Sequence, residues 1–146
     1  MSGEKMENLT QIKPNYYTKY HYRTKSNELL TPVDVCELYG FTLGNVFKYL
    51  LRYKDKNGAE DLIKALTYLN QVNKYKKVKT PKKIKKYLKY LAQENELIFW
   101  YFLVFGCGVF ISAHGEPLGL QQLKDNINKE IEKWKTPPTP PQNSLL

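Results

Sequence analysis

The chain has 146 residues and a mass of 17.2 kDa, about one domain, and its 42% hydrophobic and 14% aromatic content is enough for a real core and excludes disorder throughout. Its 23 lysines and arginines outnumber 14 acids for a net charge of +9, which points to anionic partners: nucleic acid, nucleotides, an acidic protein or a membrane surface. Cys36 and Cys107 stand too far apart for a disulfide framework and in no zinc-binding spacing, so a reducing cytoplasm is the expected setting.

Residues 1–15 are polar, without period and without the apolar stretch of a secretory signal, and are expected to be disordered. The proline-dense tail over residues 136–146 is expected to be extended or disordered as well. Between them, residues 16–135 read as a single helical domain. It opens on YYTKYHYRTK, where four tyrosines and three cations surround His21. Bases stack on such rings while cations hold phosphate, which makes His21 and Tyr22 candidates for contact with a base or sugar. The same residues are accounted for without a ligand if the tyrosines pack onto the helices and His21 is a hydrogen-bonded surface residue.

TPVD at 31–34 is a helix start, with Thr31 as cap, Pro32 in the first helical position and Asp34 completing a capping box. Gly40 ends that helix. A second is expected from Thr42 to Tyr53 on the apolar stripe Val46, Tyr49, Leu50 and Tyr53, and a third from Ala59 to Val72 burying Leu62, Ala65, Leu66 and Leu69. Short connections make the three antiparallel neighbours, an N-terminal three-helix unit.

Asn45, Lys48 and Arg52 fall at i, i+3 and i+7, one amide and two cations on one face of the second helix. Glu60 and Asp61 open the third helix, and Lys64 and Tyr68 continue its polar side. Two readings fit. The charges either form salt bridges across a helical hairpin, or they make a phosphate clamp in which Lys48 and Arg52 hold oxygens, Asn45 orients, and Glu60 or Asp61 holds Mg²⁺ through water. Asp34 and Glu37 add carboxylates nearby.

In KYKKVKTPKKIKKYLKY nine of seventeen residues are lysine, and no acid occurs between Asp61 and Glu94. Thr80 and Pro81 restart a basic amphipathic helix whose Ile84, Tyr87, Leu88 and Leu91 form the apolar stripe. Lys82, Lys83, Lys85 and Lys86 on its other side are candidates to bind nucleic acid, a partner protein or an anionic membrane, or are a solvated face. Leu97 to Ile111 is an uncharged run that as a helix spans roughly 22 Å, short of a hydrocarbon core of about 30 Å. A buried aromatic segment, a helix or a pair of short strands bent at Gly106 and Gly108, is therefore expected in place of a membrane span. His114 is expected in a loop. The final helix carries Leu120, Leu123, Ile127, Ile131 and Trp134 near heptad spacing, to cap the core or to pair with a second copy in a homo-oligomer.

GxxxxGK[ST], HExxH and GxSxG are all absent, which excludes an ordinary P-loop kinase or a familiar hydrolase. The same residues nevertheless form an ordered pattern over about residues 20–72: His21-Tyr22, then Pro32, then Gly44-Asn45, Lys48-Tyr49, Arg52 and Lys54, then Glu60-Asp61-Leu62, Lys64-Ala65 and Tyr68-Leu69. In this the chain resembles the SaV-like family of small bacteriophage proteins. The resemblance implies a small, mainly helical domain acting in the cytoplasm of an infected bacterium. One branch of that family is a coliphage nucleotide kinase that phosphorylates deoxynucleoside monophosphates without a P-loop. Another took its name from phage sensitivity to a host abortive-infection system. Carried over, the matching positions are His21, Asn45, Lys48, Arg52, Glu60, Asp61, Lys64 and Tyr68, with Mg²⁺ and ATP as the implied cofactors and no haem, nicotinamide or flavin. The expectation is thus a nucleotide-binding protein, kinase-like in chemistry, or a non-enzymatic protein that binds a host defence factor or nucleic acid. The lysine block, aromatic run and proline tail lie outside the resemblance.

Overall fold

The computed structural model describes residues 18–72, 76–107 and 115–135. The expected disordered N-terminus, the proline-rich tail and His114 lie outside the described residues.

The protein is mainly helical, as the sequence predicts. A two-stranded antiparallel hairpin, β1 (Tyr22–Arg23) and β2 (Leu29–Leu30), leads into α1 (Pro32–Arg52). The Asp34 carboxylate accepts the Thr31 N–H at 2.8 Å, so this capping arm holds as predicted. Gly40 stops the first helical stretch as predicted, although no loop follows and the second stretch begins at once. Gly40 breaks α1 internally, with φ 87° and ψ −174°, a conformation open to glycine and costly for any residue with a Cβ. The chain folds back so tightly there that Gly44 meets the Cys36 backbone.

A short 3₁₀ turn (Tyr53–Asp55) replaces the last residue of the predicted second helix, and α2 (Ala59–Asn70) ends two residues before the predicted Val72. Leu62, Ala65 and Leu69 are buried, whereas Leu66 is only partly so. Val46 and Leu50 of α1 and Tyr53 of the turn enter the core, but Tyr49 stands half-buried on the flank among cations.

The basic helix α3 (Lys82–Ala92) buries all four predicted apolar residues. The aromatic run is helical as far as Gly106: α4 (Glu96–Tyr101) continues as a π-helical stretch over Phe102–Gly106, and the bend expected at Gly108 lies outside the described residues. Leu97, Ile98, Tyr101, Phe102 and Phe105 are buried while Phe99 and Leu103 are exposed. That is a helical stripe; a strand would have hidden alternate residues. High strand propensity was overridden by tertiary burial. Asn95 secures the start, its side-chain oxygen accepting Ile98 N–H at 3.2 Å and its amide donating to the Leu50 carbonyl at 2.9 Å.

Finally α5 (Leu120–Lys135) packs on α2 and α4 through Leu120, Leu123, Ile127 and Ile131. Trp134 remains 43% exposed, its ring edge-on to Tyr53. The apolar side of α5 is therefore occupied within the chain. With α1 on α2 and α3 on α4, the short α4 touches three other helices and sits at the centre. Among the described residues, no helix is long and apolar enough to cross a membrane.

Candidate functional site

The second half of α1 and the facing side of α2 present one continuous cluster. Phe41, Asn45, Lys48, Tyr49 and Arg52 recur at helical spacing along α1, and Lys64 and Tyr68 face them from α2. The Tyr49 and Tyr68 rings stack with centroids 6.0 Å apart and planes 17° from parallel. Phe41, 75% exposed, stands edge-on to Tyr68 at 5.8 Å. Three cations attend the Tyr49 ring: Lys48 Nζ at 4.9 Å, Arg52 Cζ at 4.9 Å and Lys64 Nζ at 5.7 Å from its centroid. The quadrupole of the ring attracts each of them, by about 0.5–1 kcal/mol at exposed sites.

The cations differ in what else holds them. Arg52 is committed to Asp61: Nε donates to Oδ2 at 3.3 Å and Nη2 to Oδ1 at 3.4 Å. Asn57 adds a third bond to Asp61 Oδ1 at 3.3 Å, and Asp61 is wholly buried. Lys64 pairs with Glu60 at 3.2 Å, both side chains largely exposed, an arrangement a ligand displaces at little cost. Lys48 has no carboxylate partner among the described residues.

Beside Lys48 lies an open groove of about 410 Å³ lined by Cys36, Glu37, Gly40, Phe41, Gly44, Asn45 and Lys48. Its floor exists because the Gly40 bend brings the two halves of α1 together, with the Cys36 thiol donating to the Gly44 carbonyl at 3.4 Å. Burial pushes the Cys36 thiol pKa up, against the opposing pull of the Lys48 ammonium. The Asn45 amide donates to the Phe41 carbonyl at 2.8 Å within its own helix and leaves the groove to the lysine.

The predicted set is thus divided. Asn45, Lys48, Arg52, Lys64 and Tyr68 lie on this α1–α2 face, with Glu60 at its edge. Asp61 is a correction: it belongs to this region but points inward to Arg52, so it has no face open to Mg²⁺, and Arg52 is tied up with it. Among the described residues no group of three or more His, Cys, Asp or Glu is placed to hold a metal.

His21 and Tyr22 are elsewhere in contact. The Tyr22 ring lies against Tyr87 at 5.8 Å and Tyr90 at 5.1 Å on α3, and the His21 N–H donates to the Thr18 carbonyl at 3.1 Å. Among the described residues neither makes a ring contact or hydrogen bond to the Tyr49 cluster. Lys82, Lys83 and Lys86 are exposed on α3 and Lys85 is half-buried. Sequence reasoning gave Phe41 no role and placed Tyr49 only in an apolar stripe, whereas both stand in this cluster. The signal available was their spacing, since Phe41, Asn45, Lys48 and Arg52 recur every three or four residues.

Residues 13–70 match a protein family of unknown function, DUF3310. The matched stretch contains the whole cation–tyrosine cluster and its groove. No curated protein and no solved structure matches the chain.

Proposed function

We propose that the α1–α2 face binds a nucleotide, its base against Phe41 and Tyr68 and its phosphates on Lys48 and Lys64. The observation that carries this reading is the Tyr49 ring with three cations around it, opening on a groove that has an exposed aromatic wall. Such a pairing of ring faces with ammonium groups suits a ligand that is flat at one end and anionic at the other. Arg52, held by Asp61, acts as a fixed positive wall and keeps Tyr49 in place. Glu60 is the carboxylate open to Mg²⁺ carried on the nucleotide's own phosphates.

The resemblance to the SaV-like phage proteins supports the same reading and extends it to transfer of a phosphoryl group onto a deoxynucleoside monophosphate in an infected bacterium. In that chemistry Lys48 would neutralise charge on the moving group.

The test is thermal unfolding with a panel of deoxynucleoside monophosphates and ATP, with and without Mg²⁺, beside a transfer assay with labelled ATP. A ligand at about a hundredfold its Kd adds about 2.7 kcal/mol, a rise in Tm of roughly 5–10 °C for a chain of this size. Lys48→Ala should abolish the rise. If no nucleotide shifts the wild-type Tm, the nucleotide reading is wrong; a shift without transfer removes only the kinase part.

A further inference from the structure

A second basic surface owes nothing to the groove at Lys48. Helix α3 begins with Lys82, Lys83, Lys85 and Lys86, and it has neither an acid in its first turn nor a side-chain cap. Positive charge is unfavourable at that end of a helix, where the unpaired N–H groups are themselves positive. Between residues 62 and 93 the chain supplies no acid at all. Of the α3 lysines only Lys83 finds a carboxylate among the described residues, Glu28 at 2.8 Å. The fold therefore carries a concentration of like charge that works against its own stability, and an external polyanion relieves it.

Two classes of polyanion fit charge alone, and the structure separates them. An amphipathic helix lies on a membrane by inserting its apolar side. In α3 that side, Ile84, Tyr87, Leu88 and Leu91, is already buried in the core, so nothing remains to insert. What the exposed surface offers instead is an aromatic ring. Tyr90 follows Lys83 and Lys86 on the same face and is 42% exposed. Its ring is 5.1 Å from that of Tyr22, which in turn stacks on Tyr87 at 5.8 Å with planes 20° apart. The Tyr87 hydroxyl donates to the Tyr20 carbonyl at 2.6 Å and ties this stack to the N-terminal segment. A cleft of about 280 Å³ opens at the outer ring, lined by Tyr20, Tyr90 and Gln93 and by charges of both signs, Lys19 and Lys54 with Asp55 and Glu94. It lies just under the range of whole-ligand pockets, ~300 Å³ and above, which suits one base better than a whole nucleotide.

We infer that α3, with the β1–β2 hairpin against it, binds single-stranded nucleic acid: Lys82, Lys83, Lys86 and Lys89 hold successive phosphates and Tyr90 stacks an unpaired base. Stacking needs a free base face, so a single strand is preferred to a duplex. The site is separate from the groove at Lys48 and does not depend on the nucleotide reading.

The experiment is fluorescence anisotropy with labelled oligothymidylate of about 20 nucleotides, longer than a typical single site of ~4–16. The same-length duplex and vesicles containing phosphatidylserine are run in parallel over a range of salt. The wild type should bind the single strand most tightly. Changing all four lysines to alanine, with a glutamine set as a second variant and circular dichroism to confirm the fold, should weaken binding at least about tenfold. It should also reduce the salt slope by about 3, since each phosphate contact on a single strand contributes about 0.7. Tyr90→Ala should weaken single-strand binding several-fold with the slope unchanged. The four-lysine variants should keep the wild-type Tm response to mononucleotides, so the two sites stand or fall separately. The inference is overturned if the oligonucleotide fails to bind at low salt, if folded lysine variants bind like wild type, if the duplex binds as well and Tyr90→Ala has no effect, or if vesicles capture the protein and oligonucleotides do not.

Discussion

The Arg52 guanidinium grips the Asp61 carboxylate through two hydrogen bonds, at 3.3 and 3.4 Å, and so joins the end of α1 to the first turn of α2. Asp61 has no exposed surface and Arg52 retains 15%. Removing one partner strands the other's charge in a site that water does not reach, a loss of about 3–5 kcal/mol. Arg52→Ala should therefore lower the unfolding free energy by about 3 kcal/mol in a urea titration. Lys48→Ala, on an exposed side chain, should change it by less than about 0.5 kcal/mol. Equal midpoints for the two variants would contradict a structural role for the pair.

The bend in α1 makes two glycines sensitive for different reasons. At Gly40 a side chain meets open space but the backbone conformation is strained for it, at about 1–3 kcal/mol. At Gly44 a Cβ would lie 3.1 Å from both Cα and the carbonyl oxygen of Cys36, backbone atoms that cannot rotate away. Alanine would gain up to about 1 kcal/mol in helix propensity and lose more to overpacking, typically ~1–3 kcal/mol. Both Gly40→Ala and Gly44→Ala should lower Tm, and Gly44→Ala should also alter the reactivity of the Cys36 thiol toward a maleimide.

Three tyrosines predict an alkaline limit to stability. Burial first, and then the Glu130 carboxylate, push the Tyr53 hydroxyl upward; burial, followed by Asp34, does so for Tyr87, and burial with Asp55 for Tyr20. In the unfolded chain a tyrosine ionises near pH 10. A pKa raised in the folded state contributes stability that is fully present below about pH 10 and lost as the pH climbs above it. Absorbance at 295 nm should show these phenols ionising together with the loss of helical ellipticity rather than before it, and Tyr53→Phe should make the fall in stability shallower. Free titration of every tyrosine in the folded protein would refute this.

Phe41 provides a test that separates function from folding. It is the most exposed large apolar side chain among the described residues, so Phe41→Ala should shift stability by no more than about 0.5 kcal/mol. If it walls a nucleotide site, the same change should weaken nucleotide binding several-fold in calorimetry. Unaltered affinity would leave the ring without a part in binding.

Asn95 is buried with both ends of its amide engaged. Asn95→Ala removes the cap of α4 and leaves the Leu50 carbonyl without that partner, for a loss of about 1–3 kcal/mol. Hydrogen exchange should then quicken first at Ile98 and its neighbours; unchanged protection there would count against the cap.

Much of the fold was legible because one residue type at one spacing carries it. Ile84, Tyr87, Leu88 and Leu91 identify a buried face wherever the rest of the chain lies, and Pro32 with Asp34 marks a helix start from local hydrogen bonding alone. The aromatic run was ambiguous for a physical reason: with both faces apolar, Leu97 to Phe105 has no polar period to distinguish helix from strand. Its form was set by the packing of α4 against α1, α3 and α5.

The candidate site divides in the same way. Spacing along one helix put Asn45, Lys48 and Arg52 on a common face, and the amino-acid sequence by itself determined that, because helical geometry is local. Antiparallel packing of the hairpin also brings its acids near Arg52, but the sequence could not say that Asp61 would be wholly buried on that guanidinium, whether Tyr49 would turn to the core or to the lysines, or that Tyr22 would join α3. Those choices are made by contacts between residues far apart in the chain, and only the tertiary structure decided them: burying Asp61 required a guanidinium within reach, and folding α1 back at Gly40 left the Lys48 ammonium to face the groove.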